Sequence, residues 1–228
     1  MSMGDVILPK RNYEIPEKTE LQCPVCENGV LEIKEDNVCY VDYDSNNKKV
    51  MKNEIYGDGD LQYGFHGVLE CENPTCHEKI VFAGYSWIDE KPSREDYDLE
   101  SYSALSIEYI ERPPHLIKIN DKIPKEIYDA LLESFRLYWI DLDSCANKIR
   151  VCLELIINSY FTDKEIPPRP LGERIGNLKG KKPQLKKCLD EAEWVGSSAY
   201  LTDEIKENDL CNGYEMLKCV LKEFVRQY

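Results

Sequence analysis

Ten cysteines stand in this chain of 228 residues, and four of them are spaced for chemistry. Cys23-Pro-Val-Cys26 is a narrow thiol knuckle, with Gly29 close behind it to let backbone amides turn toward sulfur. Cys71-Glu-Asn-Pro-Thr-Cys76 is a wider knuckle with two extra residues between its thiols. Two such pairs brought together by strands make a tetrahedral four-sulfur set, the donor set and geometry that suit zinc. A set of this kind leaves no coordination position open, so the expected cofactor is a structural Zn2+ with no catalytic role. The long stretch between the pairs then forms a hairpin extending from the site. His77 abuts Cys76 and could replace a ligand, but Cys23, Cys26, Cys71 and Cys76 are the simpler set. The alternative is four unligated thiols, which leaves the small β module in need of another source of stability.

The other six cysteines read differently. Cys145, Cys152, Cys188, Cys211 and Cys219 fall on expected helices, mostly on or beside apolar stripes, and Cys39 falls among strand residues. A free cysteine packs as a small hydrophobe, and no histidine stands near these in sequence to lower a thiol pKa, so core packing is expected for each.

No catalytic constellation emerges. The only histidines are His66, His77 and His115, and all precede the helical half. A phosphate-binding GxxxxGK[ST] loop, a GxGxxG turn and an acidic calcium loop are all missing, and Gly57–Gly59 reads as a turn. The sequence therefore leans away from an enzyme. Arg150 and Glu154 stand four apart on a helix, a pairing worth only a few tenths of a kcal/mol. Arg150 is expected instead to reach into the bundle and pair with an acid. Between Arg169 and Lys187 lie seven basic residues and one acid, Glu173; a solvated loop and helix face is the simpler reading, a phosphate or acidic-partner contact the sharper one.

The elements that must position these residues follow from charge and periodicity. The net charge is −14 and the isoelectric point about 4.8, which argues against a protein built to grip phosphate backbones. Residues 35–112 carry 7 basic against 18 acidic groups, so nearly all the excess acid lies in the first half. That half reads as strands and turns, with Asn46–Asn47 as turn chemistry and strands over Leu61–Leu69, Lys79–Tyr85 and Ser103–Ile110. Beyond Pro113–Pro114 the apolar period becomes helical. Pro124 opens a helix carrying Tyr128, Leu131, Phe135 and Tyr138, and a second carries Cys145, Ile149, Cys152, Ile156 and Tyr160. Shorter helices are expected over Leu171–Leu178 and Gln184–Trp194. A last one, from about Asp209 to Tyr228, is striped by Leu210, Tyr214, Leu217, Leu221 and Phe224. The expected fold class is α+β: a small β-rich, zinc-ribbon-like module over 1–118, then an α-helical bundle over 119–228. There is no secretory leader pattern and no apolar run of membrane-spanning length, so a cytoplasmic protein with reduced thiols, and no disulfides, is expected.

The two knuckles, then Ile123-Pro-Lys-Glu-Ile127, Ser144-Cys-Ala-Asn-Lys-Ile-Arg150 with Leu153-Glu154, and Leu171-Gly-Glu-Arg-Ile175, together resemble the family catalogued as domain of unknown function 4145 (DUF4145). The resemblance runs in order from about Cys23 to Tyr228. It implies a zinc-ribbon-like module ahead of a bundle related to the HEPN (higher eukaryotes and prokaryotes nucleotide-binding) fold, in bacterial restriction, toxin–antitoxin or antiphage systems. That family usually has a segment like Lys-Trp-Ile-Gly-Asn-x-Gly-Ser-His before its last helix. Here the segment reads Glu193-Trp-Val-Gly-Ser-Ser-Ala-Tyr-Leu201: Trp194 and Gly196 match, while Glu193 reverses the charge and Leu201 replaces the histidine. The acid/base group that HEPN ribonucleases use there is gone.

The expected function is a non-catalytic protein-interaction or regulatory module of such a defence system, in which an acidic surface recognises a basic, nucleic-acid-handling protein. Arg150, Glu154, Arg174, Glu193 and Trp194 are the candidate ligand or partner surface. The last helix offers a homodimer seam, although bundle core is the simpler use of its stripe. A HEPN-like ribonuclease or nucleotide binder with a rewired site on Arg150, Arg174 and Trp194 is the alternative. A ribbon that reads nucleic acid is the least favoured, because such a ribbon needs Lys and Arg.

Overall fold

The computed structural model describes residues 6, 8–15, 19–42, 62–92, 99–160, 171–182, 185, 188 and 205–226. The chain divides into two units, Pro9–Pro114 on one side and Met1–Leu8 with His115–Tyr228 on the other. The division falls a few residues before the expected boundary at 118/119, directly after Pro113–Pro114. The turns expected at Asn46–Asn47 and Gly57–Gly59 lie outside the described residues.

The first unit is a five-stranded antiparallel sheet, ordered β1-β5-β4-β3-β2. Its strands are β1 (Asn12–Ile15), β2 (Leu31–Asp42), β3 (Gln62–Cys71), β4 (Lys79–Pro92) and β5 (Leu99–Ile110). Strands β2 to β5 form a meander, and β1 returns to pair with β5, setting Tyr13 against Leu105. Alternation assigns the faces. Phe65, Leu69, Ile80, Phe82, Leu105 and Ile107 are buried to 3% exposure or less and fill one side of the sheet. Two irregularities bend it. On β2, Ile33 pairs Leu69 and Val38 pairs Gly67, so Lys34–Asn37 bulge out opposite Val68. On β4, the register with β5 shifts between Ala83 and Gly84. A Cβ at Gly84 would lie 1.9 Å from the Ser106 carbonyl oxygen, so only glycine fits that close backbone approach.

Among the described residues, the helices of the second unit with given bounds are α1 (Lys125–Ile140), α2 (Leu142–Ser159), α3 (Leu171–Lys181) and α4 (Glu207–Val225). Pro124 precedes α1 as its N-cap, and Asp141 separates α1 from α2. The Asp141 carboxylate accepts from the amides of Asp143 and Ser144, so one residue both ends α1 and caps α2. Its hydrogen bond from the Ser144 hydroxyl, followed by those amides, holds its pKa below the usual value.

Phe135, Tyr138, Trp139, Ile149, Leu153 and Leu217 are fully buried in this unit. The expected stripe of α4 (Leu210, Tyr214, Leu217, Leu221, Phe224) is likewise buried, which supports its reading as bundle core. Two fully buried hydroxyls, those of Tyr214 and Ser134, are satisfied locally. Tyr214 Oη donates to Ser134 Oγ at 3.1 Å, and Ser134 Oγ donates to the Leu131 carbonyl at 2.7 Å. Cys145 Sγ lies 3.3 Å from both the Ser134 carbonyl and Tyr214 Oη. Burial pushes the Cys145 and Cys152 thiols up to about 12, so both stay neutral and pack as expected.

The four other cysteines of this set depart from the expected free, core-packed state. Cys188 and Cys219 are joined by a disulfide, Cα–Cα 5.9 Å, contrary to the reduced state expected for all ten. Cys39 is exposed, and its register partner across β2 and β3 is His66, also exposed. The pairing joins residues far apart in sequence, which is why no neighbouring histidine was visible there. Cys211 is half-buried. Of the helix expected over Gln184–Trp194, Leu185 and Cys188 are described, and both are buried.

Candidate metal centre

The two knuckles meet at the end of the sheet where β2 begins and β3 ends. Leu31 pairs with Cys71, and the Glu72 amide donates to the Val30 carbonyl at 3.0 Å, so the first knuckle is laced onto the strand that leads into the second. This pairing is the expected hairpin between the cysteine pairs. Inside the first knuckle the Cys23 amide donates to the Gly29 carbonyl (2.8 Å) and the Glu27 amide to the Cys23 carbonyl (2.9 Å). Inside the second, the Cys76 amide donates to the Asn73 carbonyl (2.9 Å), and the Asn73 carboxamide oxygen accepts from the Thr75 amide and hydroxyl. Each knuckle then turns through a left-handed residue directly after its second cysteine, Glu27 at φ 54° and His77 at φ 50°. The repeated device reverses the chain around a central point.

That point is ringed by sulfur. The Sγ atoms of Cys23, Cys26, Cys71 and Cys76 all lie within 4.8 Å of one another. Cys23 and Cys76 are 3.9 Å apart, and Cys26 and Cys71 are 3.7 Å apart. A tetrahedral ion with metal–sulfur bonds of about 2.3 Å sets its sulfurs about 3.8 Å apart, so the spacing and the donor set fit a metal ion. Cys23 and Cys71 are buried, while Cys26 and Cys76 are partly open. His77 is exposed and stands outside the cluster.

The surroundings favour thiolate at one position and oppose it at another. Hydrogen bonding from the backbone at Asn28 lowers the Cys26 pKa to about 6, helped by the Gly29 amide (3.3 Å) and the Asn73 side-chain amide (3.6 Å). Burial pushes Cys71 up to about 12. A metal ion is what would allow Cys71 to give up its proton inside the protein, since thiolate is the ligand form. Asn28 and Asn73 were not singled out from sequence; the Asn-Pro-Thr run inside the second knuckle is the turn signal that marks Asn73.

Gly29 is fitted to the cluster by space. A Cβ there would lie 2.4 Å from Cys71 Sγ and 2.8 Å from the Asn73 Cβ. Gly29→Ala is therefore expected to weaken metal binding by about 10–100-fold, the usual range for disturbed ligand supports, measured by competition with a chromogenic chelator. Unchanged metal affinity would mean the knuckle relaxes around the methyl group.

The remaining site residues lie in the helical unit. Arg150 Nε donates to Glu154 Oε1 at 3.2 Å, which is the pair within α2 rather than the expected reach to an acid elsewhere in the bundle. Arg174, on α3, approaches Glu154 Oε2 at 3.7 Å and donates to Asn158 Oδ1 at 2.6 Å. Glu154 thus bridges both arginines and ties α3 to α2. Glu193 and Trp194 lie outside the described residues, as do Arg169, Lys186 and Lys187 of the basic run.

Residues 11–109 match the model of a family described as a domain of unknown function (DUF8608). The matched span covers all four cluster cysteines and nearly the whole sheet. No curated protein and no solved structure matches this chain. The match overturns the resemblance to DUF4145: a different family is found, and it matches the sheet unit rather than the helices. Thiol knuckles are dictated by metal geometry and recur in unrelated proteins, so they made a poor guide to ancestry. The HEPN-like fold and the defence-system setting rested on that resemblance and lose their support with it.

Proposed function

We propose that this chain is a non-catalytic protein-interaction module, in which a structural zinc holds the end of an antiparallel sheet and an acidic unit recognises a basic protein. The observation that carries this reading is the closed four-thiol cluster. All four tetrahedral positions are filled by protein sulfur, so the ion has no position at which to bind or activate a substrate. Zinc is the ion that best suits four thiolates at this spacing. The acidity supports the choice of partner. Residues 35–112 carry a net charge of −11, and this field repels nucleic acid while favouring a basic protein surface. A cytoplasmic setting belongs to the same reading, because the cluster needs reduced thiols, while the Cys188–Cys219 disulfide pulls the other way.

The test is affinity purification of the tagged full chain from its own host, with and without nuclease, followed by binding measurements with the purified partner. A stoichiometric protein that survives nuclease is expected. Its affinity should fall with added salt, and it should weaken on Glu35→Lys/Asp36→Lys, two exposed acids of the β2 bulge. Recovery of RNA with no stable protein, or an affinity indifferent to salt and to charge reversal, overturns the proposal.

A further inference from the structure

The face of the sheet opposite its core carries exposed apolar side chains among its polar ones. Cross-strand pairing arranges it in rows. Val41 pairs Gly64, Gly64 pairs Tyr85, and Tyr85 pairs Ser106. In the next row Cys39 pairs His66, His66 pairs Ala83, and Ala83 pairs Tyr109. Beyond it Val68 pairs Val81. Paired residues share a face, so these side chains form one contiguous surface across four strands. Val41 is 51% exposed, Tyr109 47%, Val81 46% and Tyr85 38%. The Tyr85 ring also lies against Trp87, with centroids 5.8 Å apart.

We infer that this face, centred on Val81, Tyr85 and Tyr109, is the docking surface for a protein partner with an apolar centre and a Lys/Arg rim. The inference rests on the interaction-module reading and names the site at which it operates. Contiguous exposed apolar residues of this kind mark interaction surfaces, and tyrosines supply large contact area at low entropic cost. Charge selects the partner. Lys34 is engaged by Glu70 at 2.8 Å, and Arg11 by Glu108 at 3.4 Å. Arg112 is likewise engaged by Glu78. Lys79, the register partner of Glu70, is a fourth base; Glu32 and Glu111 bring the acids to five, so acid remains in excess within a segment of net charge −11, and a basic rim on the partner complements it. Nucleic acid would meet the same acids with the wrong sign.

The test uses the isotopically labelled full chain and two synthetic peptides of matched length, one alternating Lys and Val, the other Glu and Val. The basic peptide is expected to shift the amide resonances of Val81, Tyr85 and Tyr109, and the acidic peptide to leave them in place. Tyr85→Ser/Tyr109→Ser should weaken the basic peptide by about tenfold or more, as loss of central anchors does. It should leave zinc content unchanged, which shows that the variant has folded. If the basic peptide binds but shifts resonances elsewhere, the docking face is wrong and the acidic-module reading survives. If neither peptide binds, both fail. Concentration-dependent dimerisation that covers these residues would assign the face to a second copy and also overturn the inference.

Discussion

Cys71→Ser is expected to reduce the zinc content of the purified protein from one equivalent to near zero and to unfold the end of the sheet. Cys71 is the most demanding of the four positions. It closes β3, it is buried, and its amide is held by the Glu78 carbonyl at 2.9 Å. A serine hydroxyl at that point does not ionise near neutral pH and is a poor zinc ligand, so three thiolates would be left around a damaged site. Structural zinc sites supply about 10–16 kcal/mol of apparent binding energy in small domains, comparable to the whole stability of an ordinary domain at about 5–15 kcal/mol. The sheet has its own apolar core, so part of its structure can outlast the metal. A fall of more than about 10 °C in the melting temperature of this unit is still expected, since about 1 kcal/mol moves a domain of this size by 4–8 °C. Zinc is read by elemental analysis, with Cys39→Ser as the control: Cys39 is exposed and outside the cluster, and should retain full zinc. Full zinc content in Cys71→Ser would show that Cys71 is not a ligand.

Phe135→Ala is expected to produce the complementary result, a large loss of stability in the helical unit with the zinc retained. The Phe135 ring is fully buried, 5.7 Å from the His115 ring and 5.8 Å from the Tyr214 ring. Truncating it removes contacts among α1, α4 and the segment that precedes α1. It also leaves a cavity beside Tyr214, whose hydroxyl is already committed to Ser134. Phenylalanine-to-alanine changes in such cores cost about 3–5 kcal/mol. The urea midpoint should shift accordingly while the zinc content stays at one equivalent, because every ligand lies within Pro9–Pro114. A cost below about 1 kcal/mol would mean that the bundle closes over the gap, contrary to the packing around this ring.

The cluster was legible in the sequence because its geometry is local. Two thiols with two or four residues between them can face one point only through a tight turn, and Gly29 and the Asn-Pro-Thr run announce those turns. The helices were legible for a similar reason: a stripe such as Leu210, Tyr214, Leu217, Leu221 and Phe224 is a direct consequence of 3.6 residues per turn. The strands were found less completely. β1 is only four residues long, and nothing within Asn12–Ile15 shows that it will return to pair with β5. The bulge at Lys34–Asn37 breaks the alternation that would have marked β2 along its whole length. The family resemblance failed because it leaned on knuckle residues that metal geometry imposes and on short helical matches of common residue types.

The amino-acid sequence by itself determined the four-thiol set, the helical half and the excess of acid in the first half. Each depends on residue type and spacing within a short window. Only the tertiary structure decided where the other cysteines fall. It placed Cys39 across from His66 on an open face, joined Cys188 to Cys219, and left Cys145 beside Tyr214 in the core. It likewise decided that Val41, Val81, Tyr85 and Tyr109 share one exposed surface. That outcome depends on the register of four strands, and register is set by pairings between residues too far apart for any local pattern to specify.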